Sequence, residues 1–217
     1  MKRFAVIGLG KFGFYVAKSL FEQGHEVVAM DSHDDTVQAI SAYSTESLMV
    51  DATDRHALAA LGLERMDGVV VSTGTTISTS VLICLYLHEL GVKRILAKAL
   101  DDDHAKILRK VGATDIIHPE RDTARRVARS LSAPNLLDFV PLAEGFELVQ
   151  IAPPKKLIGK SLRDADLRAI YRAHVIAVRE ANPEHMVLVP PADRIIREDD
   201  VLVILGDSRD IARIQAL

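Results

Sequence analysis

Three glycines at fixed spacing, Gly8, Gly10 and Gly13, occupy the run Phe4-Ala-Val-Ile-Gly-Leu-Gly-Lys-Phe-Gly13 near the amino terminus. The pattern G-x-G-x-x-G follows a short apolar strand and opens a helix, and that context makes it a dinucleotide fingerprint. Gly8 permits the tight turn, Gly10 lets backbone approach a pyrophosphate, and Gly13 lets the helix pack against the strand. The N–H groups of the first helical turn, at Lys11 and Phe12, then face a bound phosphate whose charge the helix dipole favours. Gly13, Val16, Ala17 and Leu20 share one helical face, so the third glycine falls on the buried stripe. A second apolar strand, residues 26–30, ends at Asp31, about twenty residues past the fingerprint. A carboxylate there accepts hydrogen bonds from ribose hydroxyls and repels a 2′-phosphate. Asp31 and its neighbour Ser32 are the candidate ribose contacts, and the ligand class is an adenine nucleotide.

Further candidates lie at the ends of later strands, where ligands of such folds bind. Asp51-Ala52-Thr53-Asp54 follows the third strand; Thr53 or Asp54 reads equally as a helix cap or a ligand contact. Ser72-Thr73-Gly74 ends the fourth strand, with Gly74 open to close backbone approach. Lys98 ends the fifth, where an ammonium reaches phosphates. Glu120 stands past the sixth. A carboxylate beside phosphates is consistent with a bridging hard divalent cation such as Mg2+, and equally with simple complementation of a helix dipole. Metal and nucleophile patterns are otherwise sparse: the eight histidines form no helical H-x-x-x-H pair, Cys84 has no C-x-x-C companion, and no G-x-S-x-G elbow occurs. His118, beside Pro119, reads as a core or capping histidine.

The elements that position these residues alternate through the first 130 residues. Strands are expected near 3–7, 26–31, 47–50, 69–73, 94–98 and 115–117, with helices near 12–23, 34–42, 54–61, 77–90, 101–111 and 119–132. That rhythm specifies an α/β fold with a doubly wound parallel, Rossmann-like sheet. In the last helix Ala124, Val127, Ala128 and Leu131 form an apolar stripe, and Arg121, Arg125 and Arg129 a basic face, read as solvated or as a partner surface. From Glu147 onward short strands dominate (147–151, 174–179, 186–189, 201–205), with helices over 161–171 and 208–217. The reading is therefore a nucleotide-binding domain over 1–134, a linker over 135–145, and a small α+β domain over 146–217.

Bulk properties bound the function. The chain has 217 residues, 48% hydrophobic and 26% charged, with net charge −3. It is long enough for a substantial core, and its charge argues against a general nucleic-acid or membrane-surface binder. One cysteine suits a reducing compartment. No segment approaches the roughly 18 apolar residues of a membrane span, and the Lys2-Arg3 start with its brief apolar run is too short for a signal peptide. The expectation is a cytoplasmic protein.

Taken together, the fingerprint, Asp31, Asp51-Ala-Thr-Asp54, Ala97-Lys98-Ala99 and Gly112-Ala-Thr-Asp-Ile-Ile-His-Pro-Glu-Arg-Asp122 resemble the RCK (KTN) family, regulators of potassium conductance in Ktr and Trk transporters. Leu157-Ile-Gly-Lys-Ser-Leu162, Asp166-Leu-Arg168 and Asp199-Asp-Val-Leu-Val203 resemble the RCK C-terminal domain, so the likeness covers essentially the whole chain. A single copy of each domain is similar to the gating subunits of Ktr transporters, whereas the Trk type carries two tandem copies. The resemblance implies dimers assembling into an octameric ring beneath a membrane K+-translocating subunit, peripheral at the inner face of the cell membrane. It implies competition of ATP and ADP for the fingerprint site. Gly8, Gly10 and Gly13 would take the phosphates, Asp31 the ribose, and Asp51, Ala52 and Thr53 the adenine side. Lys98 would lie near the phosphates, and Glu120 would help hold a divalent cation at the dimer interface. Relatives commonly carry Arg in place of Lys11, where it reaches the terminal phosphate across the dimer; lysine keeps the charge and loses the bidentate fork. Some relatives bind cyclic di-AMP between C-terminal domains. Val175, Ile176, Pro190 and Pro191 are the candidates here, though an apolar strand with a proline turn also reads as core and edge.

The fingerprint and Asp31 suit NAD or NADH as well, so an NAD-binding redox sensor and an NAD-dependent oxidoreductase are the alternatives. An oxidoreductase needs a placed general acid or base, and the small strand-rich tail offers no convincing His–Asp or Lys–Glu pair. The reading is a non-enzymatic regulatory subunit.

Overall fold

Apolar, β-branched runs such as Phe4-Ala-Val-Ile7 and Val69-Val-Val71 form strands buried on both faces, as a parallel sheet covered by helices requires. A computed structural model describes residues 1–73, 76–132, 136–181 and 184–217. The chain divides into two compact units, Met1–Arg121 and Asp122–Leu217.

In the first unit the order is β1 (Arg3–Ile7), α1 (Lys11–Glu22), β2 (Glu26–Asp31), α2 (Asp34–Ile40), β3 (Glu46–Met49), α3 (Arg55–Ala60), β4 (Gly68–Val71), α4 (Ile77–Glu89), β5 (Ile95–Lys98), α5 (Asp102–Lys110) and β6 (Asp115–Ile117). The six strands lie in the order β3-β2-β1-β4-β5-β6, all parallel. The doubly wound expectation is therefore met. Alternation along each strand divides the core. Ala5, Ile7, Met30, Val69 and Val71 face one side with Leu58, Ile83 and Leu108 of α3, α4 and α5. Val6, Val27, Ala29 and Val70 face the other with Ala17 of α1 and Ile40 of α2. The order in which successive strands are added reverses between β1 and β4, so a crevice opens at their carboxyl ends, the usual ligand position of such sheets.

Helix α6 (Pro119–Ser132) carries the chain into the second unit. There follow β7 (Leu136–Ala143), β8 (Phe146–Ile151), α7 (Leu162–Ala165), α8 (Leu167–Tyr171), β9 (His174–Ala181), β10 (Glu184–Leu188), β11 (Val201–Asp207) and α9 (Ser208–Gln215). The strands form an antiparallel sheet in the order β10-β9-β11-β8-β7. Val149, Ile151, Val178, Leu202 and Ile204 pack beneath Leu167, Ile211 and Ile214.

Three expectations need correction here. The stretch 135–145, read as a linker, contains β7, paired with β8. Pro141 disguises it, since proline breaks a strand pattern; the strand lies at the sheet edge, where proline is tolerated. The expected single helix over 161–171 is two short helices, because Asp166 adopts a left-handed φ of 43° and ends the first. The basic face of α6 is not simply solvated, while on its apolar stripe Val127 and Leu131 are 50% and 78% exposed. The packed side carries Arg129, which pairs with both oxygens of buried Glu147 and stacks on Phe139. The expected basic face is therefore partly consumed, and Arg121 likewise donates to Asp102 at 2.6 Å.

Candidate nucleotide-binding site

The carboxyl ends of β1, β2, β4 and β5 enclose a crevice of about 460 Å³. Its floor is the glycine-rich turn. Gly8 has φ +89°, and a Cβ there would lie 2.7 Å from the Ser72 and Thr73 backbone. At Gly13 a Cβ would lie 1.9 Å from the Gly8 carbonyl oxygen. These two glycines are demanded by protein-to-protein packing. Gly10 is different: nothing lies within 4 Å of its virtual Cβ, which leaves room for a ligand. Gly10 also caps α1 without a side-chain hydrogen bond, so the first-turn N–H groups remain available to an anion. Gly8, Gly10, Lys11 and Phe12 line the crevice, whereas Gly13, packed against Gly8 and Ser72, is not part of its lining.

Asp31 ends β2 and borders the same space. Its Oδ2 accepts the Leu9 N–H at 2.7 Å, and its Oδ1 accepts the His33 N–H at 3.0 Å. His33 Nδ1 lies 3.0 Å from the same Oδ1. Burial pushes the Asp31 carboxyl up, but the hydrogen bonds from Leu9 and His33 outweigh it and hold it below the usual carboxylate value. The acid is thus ionised, and it splints the glycine turn as well as facing the crevice.

Ser32, Asp51, Ala52 and Thr53 continue the wall. Asp51 Oδ1 accepts from both the Thr53 N–H (2.9 Å) and hydroxyl (2.6 Å), which lowers its carboxyl pKa. Asp54, not Thr53, caps α3, accepting from His56 N–H at 2.8 Å. On the opposite wall Thr73 lines the crevice, and its hydroxyl is buried without a hydrogen-bond partner among the described residues. A buried unpaired hydroxyl is rare and fits a ligand contact. Gly74, the remaining candidate on this wall, lies outside the described residues.

Lys98 and Glu120 close the far end and form an ion pair with each other. The hydrogen bond from Lys98 holds the Glu120 carboxyl below its ordinary value. Among the described residues no group of three or more His, Cys, Asp or Glu could hold a metal ion. His118 is 8% exposed and lies 3.9 Å from Asp102, as a core histidine.

Sequence reasoning missed His33, Thr36, Thr76, Thr79 and Ile83, which also line the crevice. Position past a strand tip was the available signal for His33 and Thr76; the others depend on how α2 and α4 pack.

Residues 4–119 match the TrkA-N domain and residues 146–217 the TrkA-C domain. The chain is 40% identical over 214 residues to Ktr system potassium uptake protein C of Bacillus subtilis (strain 168), covering 99% of this chain and 96% of that protein. It is 39% identical over 214 residues to Ktr system potassium uptake protein A of the same organism, with the same coverage. Among solved structures, the crystal structure of the GsuK RCK domain aligns over 100% of this chain with a TM-score of 0.67 and 18% identity, a likeness of fold. This chain spans 47% of that one, about half its length. Two domains of matching type in matching order, an RCK fold and close relatives over nearly the full length together show that this chain belongs to the TrkA-N/TrkA-C family of RCK proteins, as a homologue of the Ktr potassium uptake proteins.

Proposed function

We propose that this chain is a cytosolic, non-enzymatic regulatory subunit of a potassium uptake system, which binds ATP and ADP in the crevice and passes the difference to a membrane K+-translocating subunit. The observation that carries the reading is the uncapped start of α1 at Gly10, open to ligand, set between the Asp31 carboxylate and the Lys98 ammonium. Phosphates fit the α1 end, ribose hydroxyls fit Asp31, and the Asp51–Thr53 turn borders the adenine side. No helix among the described residues is long and apolar enough to cross a membrane; in this reading the membrane step belongs to a partner. Homology to the Ktr proteins supports that partnership.

Gating by nucleotide requires that ATP and ADP favour different assemblies, since a ligand shifts an equilibrium only by its differential affinity. Dimers joined into an octameric ring supply such states. Lys11, exposed at the first turn of α1, is the proposed reader of the terminal phosphate. Glu120 is a proposed Mg2+ ligand once phosphate and a second protomer complete the coordination. Cyclic di-AMP at the C-terminal domain is a further proposed ligand. Asp31 suits the adenosine of NADH equally, so an NADH-binding sensor is the second reading.

Thermal shift with ATP, ADP and NADH, each with and without Mg2+, ranks the ligands by linkage. A marked stabilisation by ATP over NADH is expected, together with a change of assembly mass between ATP and ADP. Preference for NADH, or hydride turnover on an alcohol or aldehyde panel, would overturn the reading.

A further inference from the structure

His104, in the first turn of α5, is 2% exposed, and Ser80, on the first turn of α4, is 1% exposed. Their side chains meet, Ser80 Oγ to His104 Nε2, at 2.9 Å. The hydroxyl proton of Ser80 goes to the Ile77 carbonyl at 2.9 Å, so the imidazole must be the donor in this pair, through Nε2–H. On the other side of the ring the Leu100 N–H donates to Nδ1 at 3.2 Å, which requires Nδ1 to be bare. Both ring nitrogens are thereby assigned, and the ring is neutral. The backbone of His104 is held as well, its N–H donating to Asp101 Oδ1 at 2.7 Å.

What this ring joins is informative. Thr79 and Ile83 of α4 and Lys98 at the end of β5 line the nucleotide crevice; Ser80 and Leu100 are their immediate supports. We propose that His104 is a positioning residue for the nucleotide site, a neutral imidazole clasp that holds the α4 wall and the Lys98 wall in register and releases the Lys98 wall when it takes a second proton. The inference rests on the crevice being a nucleotide site. The mechanism is a donor conflict: a proton on Nδ1 would face the Leu100 N–H with no acceptor between them, and a buried unpaired donor is costly.

The surroundings agree with a neutral ring. Burial, the largest influence, pushes the imidazole below its ordinary value; Asp101 on its own turn opposes this and His118, from the junction after β6, reinforces it. Nearby Asp102 is committed to Arg121, and Lys98 of β5 to Glu120. Helix α4 contributes Ser80 and, a turn further on, Cys84, whose thiol burial raises to about 12.

The test is calorimetric binding of ADP to the full chain at about pH 8 and about pH 5, the lower value set beneath the range in which an ordinary imidazole changes charge because burial pushes this one down. Wild type is expected to bind more weakly at the lower pH. His104→Ala is expected to weaken binding about tenfold at the higher pH, and Ser80→Ala about threefold. His104→Asn keeps an acceptor for Leu100 and does not titrate, so it should recover most of the affinity and flatten the pH profile. The titration of the ADP phosphate is common to all variants and cancels in the ratio to wild type; His33→Ala, run in parallel, accounts for the histidine inside the crevice. If His104→Ala does not fold, His104→Asn and Ser80→Ala carry the test. Variants that bind as wild type does, or a His104→Asn profile as steep as wild type, would overturn the proposal while leaving the nucleotide reading intact. A wild-type chain that binds no ADP at either pH overturns both.

Discussion

At the β1–β2 end of the crevice the geometry is set by backbone, and at the β5–β6 end by side chains. Gly8 and Gly13 allow main chain to touch main chain, and Asp31 bonds to the N–H groups of Leu9 and His33. The far end relies on the Lys98–Glu120 pair, with Glu120 69% exposed, and on the buried Ser80–His104–Leu100 links behind it. A backbone-built end tolerates few substitutions and keeps its shape without ligand. An end closed by an ion pair whose acid is solvated rearranges more readily than one closed by main chain.

The sharpest way to break this contrast is Gly13→Ala. Its new methyl would meet the Gly8 carbonyl, which is backbone and cannot swing aside, so a loss of more than about 3 kcal/mol or outright failure to fold is expected in denaturant melts. Gly10→Ala, with open space around it, should instead fold within about 1 kcal/mol of wild type and lose ADP affinity in calorimetry. Equal destabilisation by the two would mean that the turn is not divided between packing and ligand as described.

Asp31→Ala comes next. It orphans the two N–H groups that the carboxylate satisfies, and a cost of about 1–3 kcal/mol without ligand is expected, with weaker binding of every adenosine ligand. The associated pH dependence has a definite sign. The folded-state pKa of Asp31 is lowered, so its stabilisation is fully present above the unfolded carboxylate value of about 3.9 and is lost as pH falls through the lower folded value. Chemical denaturation from neutral to acid pH should show this loss in wild type and a shallower one in Asp31→Asn.

The smallest effect is expected at the other end. Glu120→Gln removes an ion pair that is exposed only on the acid's side; the amide oxygen still accepts from Lys98, and stability should change by no more than about 1 kcal/mol. Its consequence belongs to ligand binding: the added stabilisation that Mg2+ gives to ATP-bound protein should shrink. An undiminished Mg2+ effect in thermal shift would remove Glu120 from the proposed cation site.

Much of this division could be read in advance where residue type answers to local geometry. The fingerprint glycines, the strand-tip Asp31 and the alternation of Ala5-Val6-Ile7 between two core faces follow from periods and turn chemistry that neighbouring residues share. Strand β7 escaped because its pattern contains Pro141, acceptable at an edge that only the finished sheet defines. The basic face of α6 was read as solvated or as a partner surface for a related reason: a 3.6-residue period identifies a face but not what covers it, and here Arg129 packs against Glu147.

The amino-acid order by itself determined the alternation of strands and helices, the glycine-rich turn and the carboxylate at the tip of β2, since each follows from residue types along a single element or at its end. Only the tertiary structure decided that Lys98 meets Glu120 across 22 positions and that His104 reaches Ser80 across 24. Side chains so far apart in the chain are brought together by the packing of α4, α5 and β6 around the sheet, and no local pattern records which partner a lysine or a buried imidazole will find.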